Sequence, residues 1–248
     1  MPSFGVLFFP GSNCDHDCYH AIKKILGRPC ELIWHEETSL EGIDCIVIPG
    51  GFSYGDYLRA GAISQFSPVV SPLRELAARG VPVIGICNGF QILVESGLLP
   101  GAFIHNSSLK FVCRWTNVKV EDTDTPFTCL LRRGEVLKLP VANAQGNFVL
   151  PPDGDNTRER RIVLRYCGEG GEPTAEANPS GAEDNIAGIA NSQGNVLGMM
   201  PHPERSFERV LGSEDGRRMF ECVVSWIESR GRKSSGVTNL DPLVSSQK

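Results

Sequence analysis

Apolar residues in the first third of the chain form short runs that are separated by segments with helical spacing. Residues 5–9, 31–35 and 44–48 are mostly apolar runs next to glycine, proline or polar residues, which predicts three strands. The third run is rich in β-branched residues, as is typical of a parallel strand buried on both faces. Between the first two runs, Tyr19 and Ile22 lie on one face of a predicted helix.

Capping residues indicate where the predicted helices begin and end. Ser12 followed by Asp15 fits a capping box at the start of the first helix. A second helix is predicted over residues 71–79, since Gly80 is typical of the position just past a helix end. The apolar run 81–87 then leads directly into a third helical segment. Repeated alternation of strand and helix predicts a doubly wound α/β fold, in which ligands bind at the carboxyl ends of the strands.

Beyond residue 110 the pattern changes to strand-like runs with intervening turns. The runs at 111–120, 135–139 and 147–150 predict an antiparallel extension of the main, mostly parallel sheet. Further strands are predicted at 161–166, 186–190 and 195–200. A final helix is predicted from Ser213, with an apolar face that includes Met219 and Phe220.

The chain is predicted to be one domain with a tail. Residues 1–230 contain no internal repeat and no linker, and 248 residues suffice for one large α/β domain. Residues 231–248 lack apolar periodicity, which predicts a flexible C-terminal tail.

Composition and charge narrow the class of protein. The 24 basic and 29 acidic side chains give a net charge of −5, which provides no basic surface for general nucleic-acid binding. Nine cysteines are scattered along the chain rather than spaced as a framework, which favours reduced thiols. No apolar run approaches the roughly 20 residues of a membrane span, and the first residues lack the features of a signal peptide. We therefore expect a cytoplasmic protein that binds small molecules or other proteins, not nucleic acid or membranes.

The best clue to function is Cys87, which lies between a predicted strand and a predicted helix. At such a point the helix dipole and the unpaired N–H groups favour thiolate, the nucleophilic form of cysteine. Gly85 and Gly89 place small residues on both sides, as in the nucleophile elbow of hydrolases. A single cysteine at a strand end is more often a packed thiol, so other groups must support the prediction.

Acyl transfer by a thiol needs a base, a group that orients the base, and donors for the oxyanion. His202 follows an apolar strand and precedes Glu204 by two residues, which places an imidazole and a carboxylate in one loop. The glycine-rich loop at 50–57 also follows a strand, so Gly51 together with Asn88 can offer backbone N–H groups. The combination is far rarer by chance than any single part, and it predicts a Cys–His–Glu triad.

Two other patterns carry less information. The segment 14–20 has two cysteines and two histidines at alternate positions, but side chains at this spacing scatter around a helix and match no zinc pattern. The loop at 9–13 resembles a phosphate-binding loop, yet it lacks the Walker spacing. We expect no metal site and no cofactor site in this chain.

Taken together, these motifs resemble the class I (triad) glutamine amidotransferases. The matching segments are 9–15, 50–61, 85–91, 178–181, 186–189 and 201–205. The sequence Gly-Phe-Ser-Tyr-Gly-Asp-Tyr at 51–57 is similar to one branch in particular, the glutaminase subunits of phosphoribosylformylglycinamidine synthase. The resemblance extends to about Arg230 and implies a flavodoxin-like α/β fold.

The resemblance implies a reaction and roles for individual residues. Cys87 attacks the side-chain amide of L-glutamine to form a γ-glutamyl thioester and release ammonia. His202 acts first as base and then as acid, and Glu204 orients it. The residues expected to bind the oxyanion and the substrate are Gly50, Gly51, Phe52, Asn88 and Gln91.

The resemblance also implies partners. In this family, ammonia passes to a synthetase subunit that uses ATP to convert formylglycinamide ribonucleotide to formylglycinamidine ribonucleotide in de novo purine biosynthesis. The ATP and Mg²⁺ sites are expected on that partner, and a small accessory subunit is expected as well.

One loop departs from the family pattern. Where family members have a His-Gly-Glu-Gly type loop, residues 142–147 read Ala-Asn-Ala-Gln-Gly-Asn. Amides or alanine replace two ionisable side chains of the family loop. The role of this loop in enclosing the substrate or docking the partner is therefore in doubt. Two alternatives therefore stay open: another triad amidotransferase or cysteine hydrolase of the same fold, and a non-catalytic binding subunit.

Overall fold

The computed structural model describes residues 1–150 and 160–235 of the chain. These residues form eleven strands and four α-helices. The strands are β1 (Phe4–Phe8), β2 (Cys30–Trp34), β3 (Cys45–Ile48), β4 (Val83–Ile86), β5 (Ala102–Ile104), β6 (Val112–Val120), β7 (Val136–Asn143), β8 (Asn147–Val149), β9 (Arg160–Cys167), β10 (Ile186–Asn191) and β11 (Val196–Met199). The helices are α1 (Asp15–His20), α2 (Val70–Ala78), α3 (Asn88–Glu95) and α4 (Asp215–Ser235).

Nine of the strands form one sheet in the spatial order β2-β1-β3-β4-β11-β10-β9-β6-β7. The neighbours from β2 to β11 pair in parallel, and all pairs beyond β11 are antiparallel. The predicted doubly wound sheet with an antiparallel extension is thereby confirmed. We refer to β2, β1, β3 and β4 as the parallel half and to β10, β9, β6 and β7 as the antiparallel half. β11, the last strand within the described residues, joins the two halves.

The parallel half agrees closely with the sequence prediction. β1, β2, β3 and α2 each lie within one residue of their predicted positions. Every residue of β3 and β4 is buried, as expected for central strands of a parallel sheet that is covered on both faces. The carboxyl ends of these two neighbouring strands lead into the loop at 50–57 and into Cys87.

The segment after β7 corrects part of the predicted extension. The prediction that residues 147–150 belong to the main sheet is wrong, because β8 pairs with β5 in a separate two-stranded sheet. Phe148 of β8 packs against Phe90 of α3 and Phe103 of β5, with ring centroids 5.4 and 5.3 Å away. The small sheet therefore covers the helix that follows Cys87.

Helix α1 lacks the predicted capping box. It begins at Asp15, and no side chain caps its N-terminus. The Ser12 hydroxyl instead accepts a hydrogen bond from the Phe9 N–H at 3.1 Å, so it closes the turn after β1. The first helix continues into one π-helical turn, Ala21–Ile25.

The C-terminal helix α4 begins two residues after its predicted start and runs to Ser235. Regular structure therefore extends beyond residue 230, where the tail is predicted to begin. Residues 236–248 lie outside the described residues, so the rest of the tail stays a prediction. Within the described ranges, none of the helices is long and apolar enough to cross a bilayer.

Candidate active site

Cys87 occupies the sharp turn between β4 and α3. Its φ of 51° and ψ of −105° are rare for a residue with a side chain, and such backbone conformations concentrate at functional sites. Its N–H donates a hydrogen bond to the Met199 carbonyl at 2.8 Å, which fixes the turn against β11. The thiol is therefore held at the first turn of α3, where backbone N–H groups lack partners within the helix.

Two glycines make this turn possible. A Cβ atom on Gly89 would overlap the carbonyl oxygen of Ile48, at the end of the neighbouring strand β3. A Cβ atom on Gly85 would lie 2.6 Å from the Gly89 carbonyl oxygen. The small residues on both sides of Cys87 are thus required by the close approach of α3 to the sheet.

His202 and Glu204 lie in the loop after β11, next to the turn that holds Cys87. The His202 N–H donates to the Pro140 carbonyl at 2.8 Å, and its Nδ1 lies 2.6 Å from Oε1 of Glu204. A carboxylate only accepts hydrogen bonds, so Nδ1 carries the proton and donates it to Glu204. Among the described residues, Nε2 of His202 has no hydrogen-bond partner, although it is buried.

The surroundings of His202 favour its protonated form. Burial disfavours the charged imidazole, but the Glu204 carboxylate and the nearby sulfur of Cys87 outweigh it and raise the pKa of His202 well above its ordinary value. Both His202 and Glu204 are almost inaccessible to solvent, with 1% and 3% of their surface exposed. An imidazolium formed by proton transfer from a thiol is therefore stabilised at this position.

Cys87 and His202 line one small cavity of about 100 Å³. Its other lining residues are Asn13, Cys14, Gly51, Phe52, Phe111, Ala142 and Arg205. The Sγ atom of Cys87 lies 3.7 Å from the Ala142 carbonyl oxygen, which belongs to β7. The segments that follow β1, β3, β4 and β11 thus provide most of the cavity lining, and Phe111 and Ala142 close it.

A larger cavity of about 690 Å³ lies on the other side of the same loop. It shares Arg205 with the small cavity, and Glu204, Trp115 and Phe207 belong to its lining. Neither Cys87 nor His202 lines it. We therefore assign the candidate chemistry to the smaller cavity, because only that one contains the thiol and the imidazole.

The glycine-rich loop after β3 differs from residue to residue in which backbone N–H groups are already bonded. The Phe52 N–H donates to the Gly11 carbonyl at 3.0 Å, so Phe52 contributes its half-exposed ring to the cavity and not its amide. The Gly51 N–H has no acceptor among the described residues. The Asn88 N–H belongs to the first residue of α3 and therefore has no acceptor within the helix. Both amides therefore lack an acceptor among the described residues, and their contact with an oxyanion stays a prediction.

Gly50 packs directly against the imidazole of His202, the candidate base. A Cβ atom at this position would lie 2.7 Å from Cε1 of His202 and 3.2 Å from Sγ of Cys14. Its φ is not in the left-handed region, so close packing against the imidazole, and not backbone conformation, makes glycine necessary here.

The side chains of Asn88 and Gln91 form a buried network behind the cavity. Asn88 accepts a hydrogen bond from the Ser53 N–H at 3.0 Å and donates to Asp56 at 3.2 Å and to Gln91 at 3.0 Å. Gln91 in turn donates to the Gln145 carbonyl at 2.8 Å. Gln91 is not among the residues that line the cavity, and its contact with a substrate stays a prediction.

Sequence reasoning missed Asp56, although it lies in the family-specific segment at 51–57. Its carboxylate accepts a hydrogen bond from Asn88. Burial raises the pKa of Asp56 to about 6, and the hydrogen bond from Asn88 only partly offsets this effect. A carboxyl that titrates near neutral pH therefore lies beside the candidate site.

The divergent loop at 142–147 keeps its position through main-chain contacts. Asn106 donates to the Asn143 carbonyl at 2.9 Å and accepts from the Gly146 N–H at 2.8 Å. The Gln145 carbonyl accepts from Gln91. Since the side chains of Asn143 and Gln145 supply none of these bonds, the departure from the family pattern leaves the loop anchored.

The cysteines and histidines of the segment 14–20 do not converge, as the sequence predicts. Cys14 and Cys18 are buried, whereas His16 and His20 are exposed. Cys14 instead approaches the triad, and ligand atoms of Cys14, His202 and Glu204 lie within 4.8 Å of one another. The guanidinium of Arg205 lies 3.0 Å from the Cys14 sulfur, and its positive charge opposes a divalent cation at this place. Sequence spacing revealed neither Cys14 nor Arg205, because their contact spans 191 positions.

Comparison with known proteins agrees with this site. Residues 1–227 match the family described as the CobB/CobQ-like glutamine amidotransferase domain. The phosphoribosylformylglycinamidine synthase subunit PurQ of Moorella thermoacetica is 50% identical over 93% of this chain and 98% of its own length. The subunit of the same name from Pyrococcus horikoshii is 51% identical over 92% of this chain and 100% of its own length.

Two solved structures are similar to the whole fold. A chain of PurLQS from Thermotoga maritima has a TM-score of 0.81 and 40% identity, covering 91% of this chain and 99% of that one. A putative GMP synthase subunit from Thermoplasma acidophilum has a TM-score of 0.65 at 15% identity, covering 95% of this chain and 98% of that one, and this likeness shows the fold alone. The family match and the near full-length identities show that the chain belongs to the glutamine amidotransferase family.

Proposed function

We propose that this chain is the glutaminase subunit of a phosphoribosylformylglycinamidine synthase, which hydrolyses L-glutamine to glutamate and ammonia. The observation that carries the proposal is the cavity in which Cys87 and His202 meet, with Glu204 bound to the imidazole. The relatives that carry the name of this synthase subunit are about half identical to the chain over nearly its full length, which supports the choice of reaction.

In this mechanism the Cys87 sulfur attacks the side-chain amide carbon of glutamine. His202 accepts the thiol proton on Nε2 and donates it to the nitrogen that leaves as ammonia. The Gly51 and Asn88 N–H groups stabilise the charge on the amide oxygen. Water then hydrolyses the γ-glutamyl thioester, with His202 as base, and Glu204 holds the imidazole in the required tautomer throughout.

The ammonia is consumed by a separate synthetase subunit. The similar chain from Thermotoga maritima belongs to a structure named PurLQS, which supports a synthetase and a small accessory subunit as partners. The synthetase uses ATP to convert formylglycinamide ribonucleotide to formylglycinamidine ribonucleotide, and it holds the ATP and Mg²⁺. The reaction belongs to purine biosynthesis in the cytoplasm.

The test is to reconstitute the chain with the synthetase and the small subunit of a related organism, and to measure glutamate release and nucleotide product. Cys87→Ser is expected to lower glutamine-dependent turnover by at least about 10³-fold, because the nucleophile is lost. Turnover with ammonium salts in place of glutamine is expected to be unchanged, since it bypasses this chain.

Cys113→Ser, at an exposed thiol on β6, serves as the matched control and is expected to retain full activity. Failure of the folded chain to release glutamate with any partner present contradicts the proposal. Full glutamine-dependent activity of Cys87→Ser contradicts it as well and favours a non-catalytic role.

A further inference from the structure

Cys129 and Cys222 face each other between the loop 121–135 and helix α4. The Cys129 thiol donates a hydrogen bond to the Cys222 carbonyl at 3.4 Å. The Leu130 N–H donates to the Cys222 sulfur at 3.4 Å. Each sulfur thus lies against the backbone of the opposite segment, and the two side chains are in contact.

The loop that carries Cys129 is held firmly in this position. The Thr128 hydroxyl donates to the Asp122 carbonyl at 2.8 Å and lies 2.6 Å from the Thr125 hydroxyl. Phe127, between them, is fully buried in the core. The approach of the two thiols therefore belongs to a packed part of the fold and not to a loose surface segment.

The two thiols differ in accessibility and acidity. Cys129 is partly exposed, and a hydrogen bond with Cys222 lowers its pKa below the ordinary value for a thiol. Cys222 is fully buried, and the contact with Cys129 together with burial raises its pKa. A partly exposed thiol in contact with a second thiol is an arrangement that permits reversible oxidation to a disulfide.

We propose that Cys129 and Cys222 form an oxidisable dithiol that hydroperoxides convert to a disulfide. The Cys129 sulfur attacks one peroxide oxygen, the O–O bond breaks, and the other oxygen leaves as hydroxide or alkoxide and takes up a proton. The Cys222 sulfur then attacks the resulting sulfenic acid, the S–O bond breaks, and hydroxide leaves with the Cys222 proton as water. The two thiols give up two electrons, which reduce the peroxide.

The disulfide would tie residues 93 positions apart and connect α4 to the loop that leads into β7. Neither thiol lines the cavity of Cys87, so the pair does not depend on the proposed reaction. Oxidation is expected to stabilise the fold and to leave the cavity unchanged.

The test is to treat the folded full chain with hydrogen peroxide, alkylate the remaining thiols and identify cross-linked peptides by mass spectrometry. We expect a peptide pair that contains Cys129 and Cys222, is lost on reduction with dithiothreitol, and is accompanied by a rise in Tm of about 5–10 °C. Cys129→Ser is expected to remove both effects, and the control Cys113→Ser to retain them.

Cys129→Ser is the informative variant because its side chain is only partly buried, whereas Cys222→Ser alters the core. A peroxide-treated, folded chain in which Cys129 is oxidised but never joined to Cys222 overturns the proposal. So does a Tm rise of the same size in Cys129→Ser.

Discussion

The parallel and antiparallel halves of the sheet contribute differently to the candidate site. In the parallel half, β3 and β4 end in Gly50 and Cys87, and the turns that follow are fixed by glycines packed against backbone or imidazole. The antiparallel half encloses the site instead, through the Ala142 carbonyl and the Phe111 ring. The thiol and imidazole thus lie at tightly packed turns. The loop at 142–147, which helps to close the cavity, is held through its main chain.

This difference explains how the loop at 142–147 can depart from the family pattern and still keep its position. Substitution beside Cys87 or His202 meets backbone or a buried ring, so few residues fit. In the loop at 142–147, the bonds from Asn106 and Gln91 reach main-chain groups, which any residue provides. We therefore expect single changes in the parallel half to cost more activity than comparable changes at the contact between the halves.

Among the changes that test this comparison, the largest effect is expected from Gly50→Ala. The added Cβ would lie 2.7 Å from Cε1 of His202, and the imidazole cannot retreat because Glu204 holds it and the site is buried. Misplacement of a catalytic group by a fraction of an ångström to 1 Å costs about 10²-fold, so kcat/KM for glutamine hydrolysis in the complex is expected to fall by that factor.

Gly42→Ala provides the control for Gly50→Ala. A Cβ there meets no atom within 4 Å, although the φ of 79° makes alanine unfavourable, so only stability is expected to change, by about 1 kcal/mol. Equal kcat/KM for the two variants, measured at matched folded fractions, contradicts the assignment of His202 as the base.

A smaller effect is expected from Gln91→Leu, which breaks the hydrogen bond between α3 and the loop at 142–147. Loss of this buried bond to the Gln145 carbonyl costs about 1–3 kcal/mol, and kcat/KM is expected to fall about tenfold. Steady-state kinetics of the complex check this value.

Gln65→Leu serves as the control for Gln91→Leu. The Gln65 side chain donates to the Ala62 carbonyl at 2.8 Å within one segment, so its loss leaves the two halves connected. If Gln91→Leu and Gln65→Leu behave alike, the contact between the halves does not matter for turnover.

The smallest effect is expected from Asp56→Asn and concerns pH. Because burial raises the pKa of Asp56 from 3.8 to about 6, the folded state binds this proton more tightly than the unfolded chain does. Its contribution to stability is therefore complete below pH 4 and is lost as the pH rises through 6. Asparagine does not titrate, so the Tm of the variant relative to the parent is expected to rise between pH 4 and 7. Parallel Tm curves would show that Asp56 is solvated like an ordinary carboxyl.

The sequence predicted the elements that follow simple periodic rules. Cys87 and His202 were identifiable because each follows an apolar run, and the carboxyl ends of parallel strands meet at one edge of a sheet. Gly85 and Gly89, on both sides of Cys87, indicated a turn with close packing. These residues follow strands that pair in parallel, and a buried parallel strand has a recognisable, continuous apolar pattern.

Other features depend on contacts that no local pattern records. β5 has three residues, too few for alternation to be visible, and β8 pairs with it because Phe148 packs on α3. The Phe52 N–H donates to the Gly11 carbonyl, 41 positions earlier in the sequence, and no local pattern predicts this contact. By contrast, the irregular pairing of β10 with β9 at Gly188 has a sequence signal, because a glycine inside a strand often marks a bulge.

The central place of β11 has a consequence for how the protein is made. Of the strands in the described ranges this one is synthesised last, yet it lies between β4 and β10 and brings His202 to Cys87. A growing chain on the ribosome can pair the earlier strands of each half, but it cannot join the halves before Val196–Met199 has emerged. The thiol is therefore made long before its base, and a chain that stops short of β11 has an incomplete sheet and releases no nitrogen from glutamine.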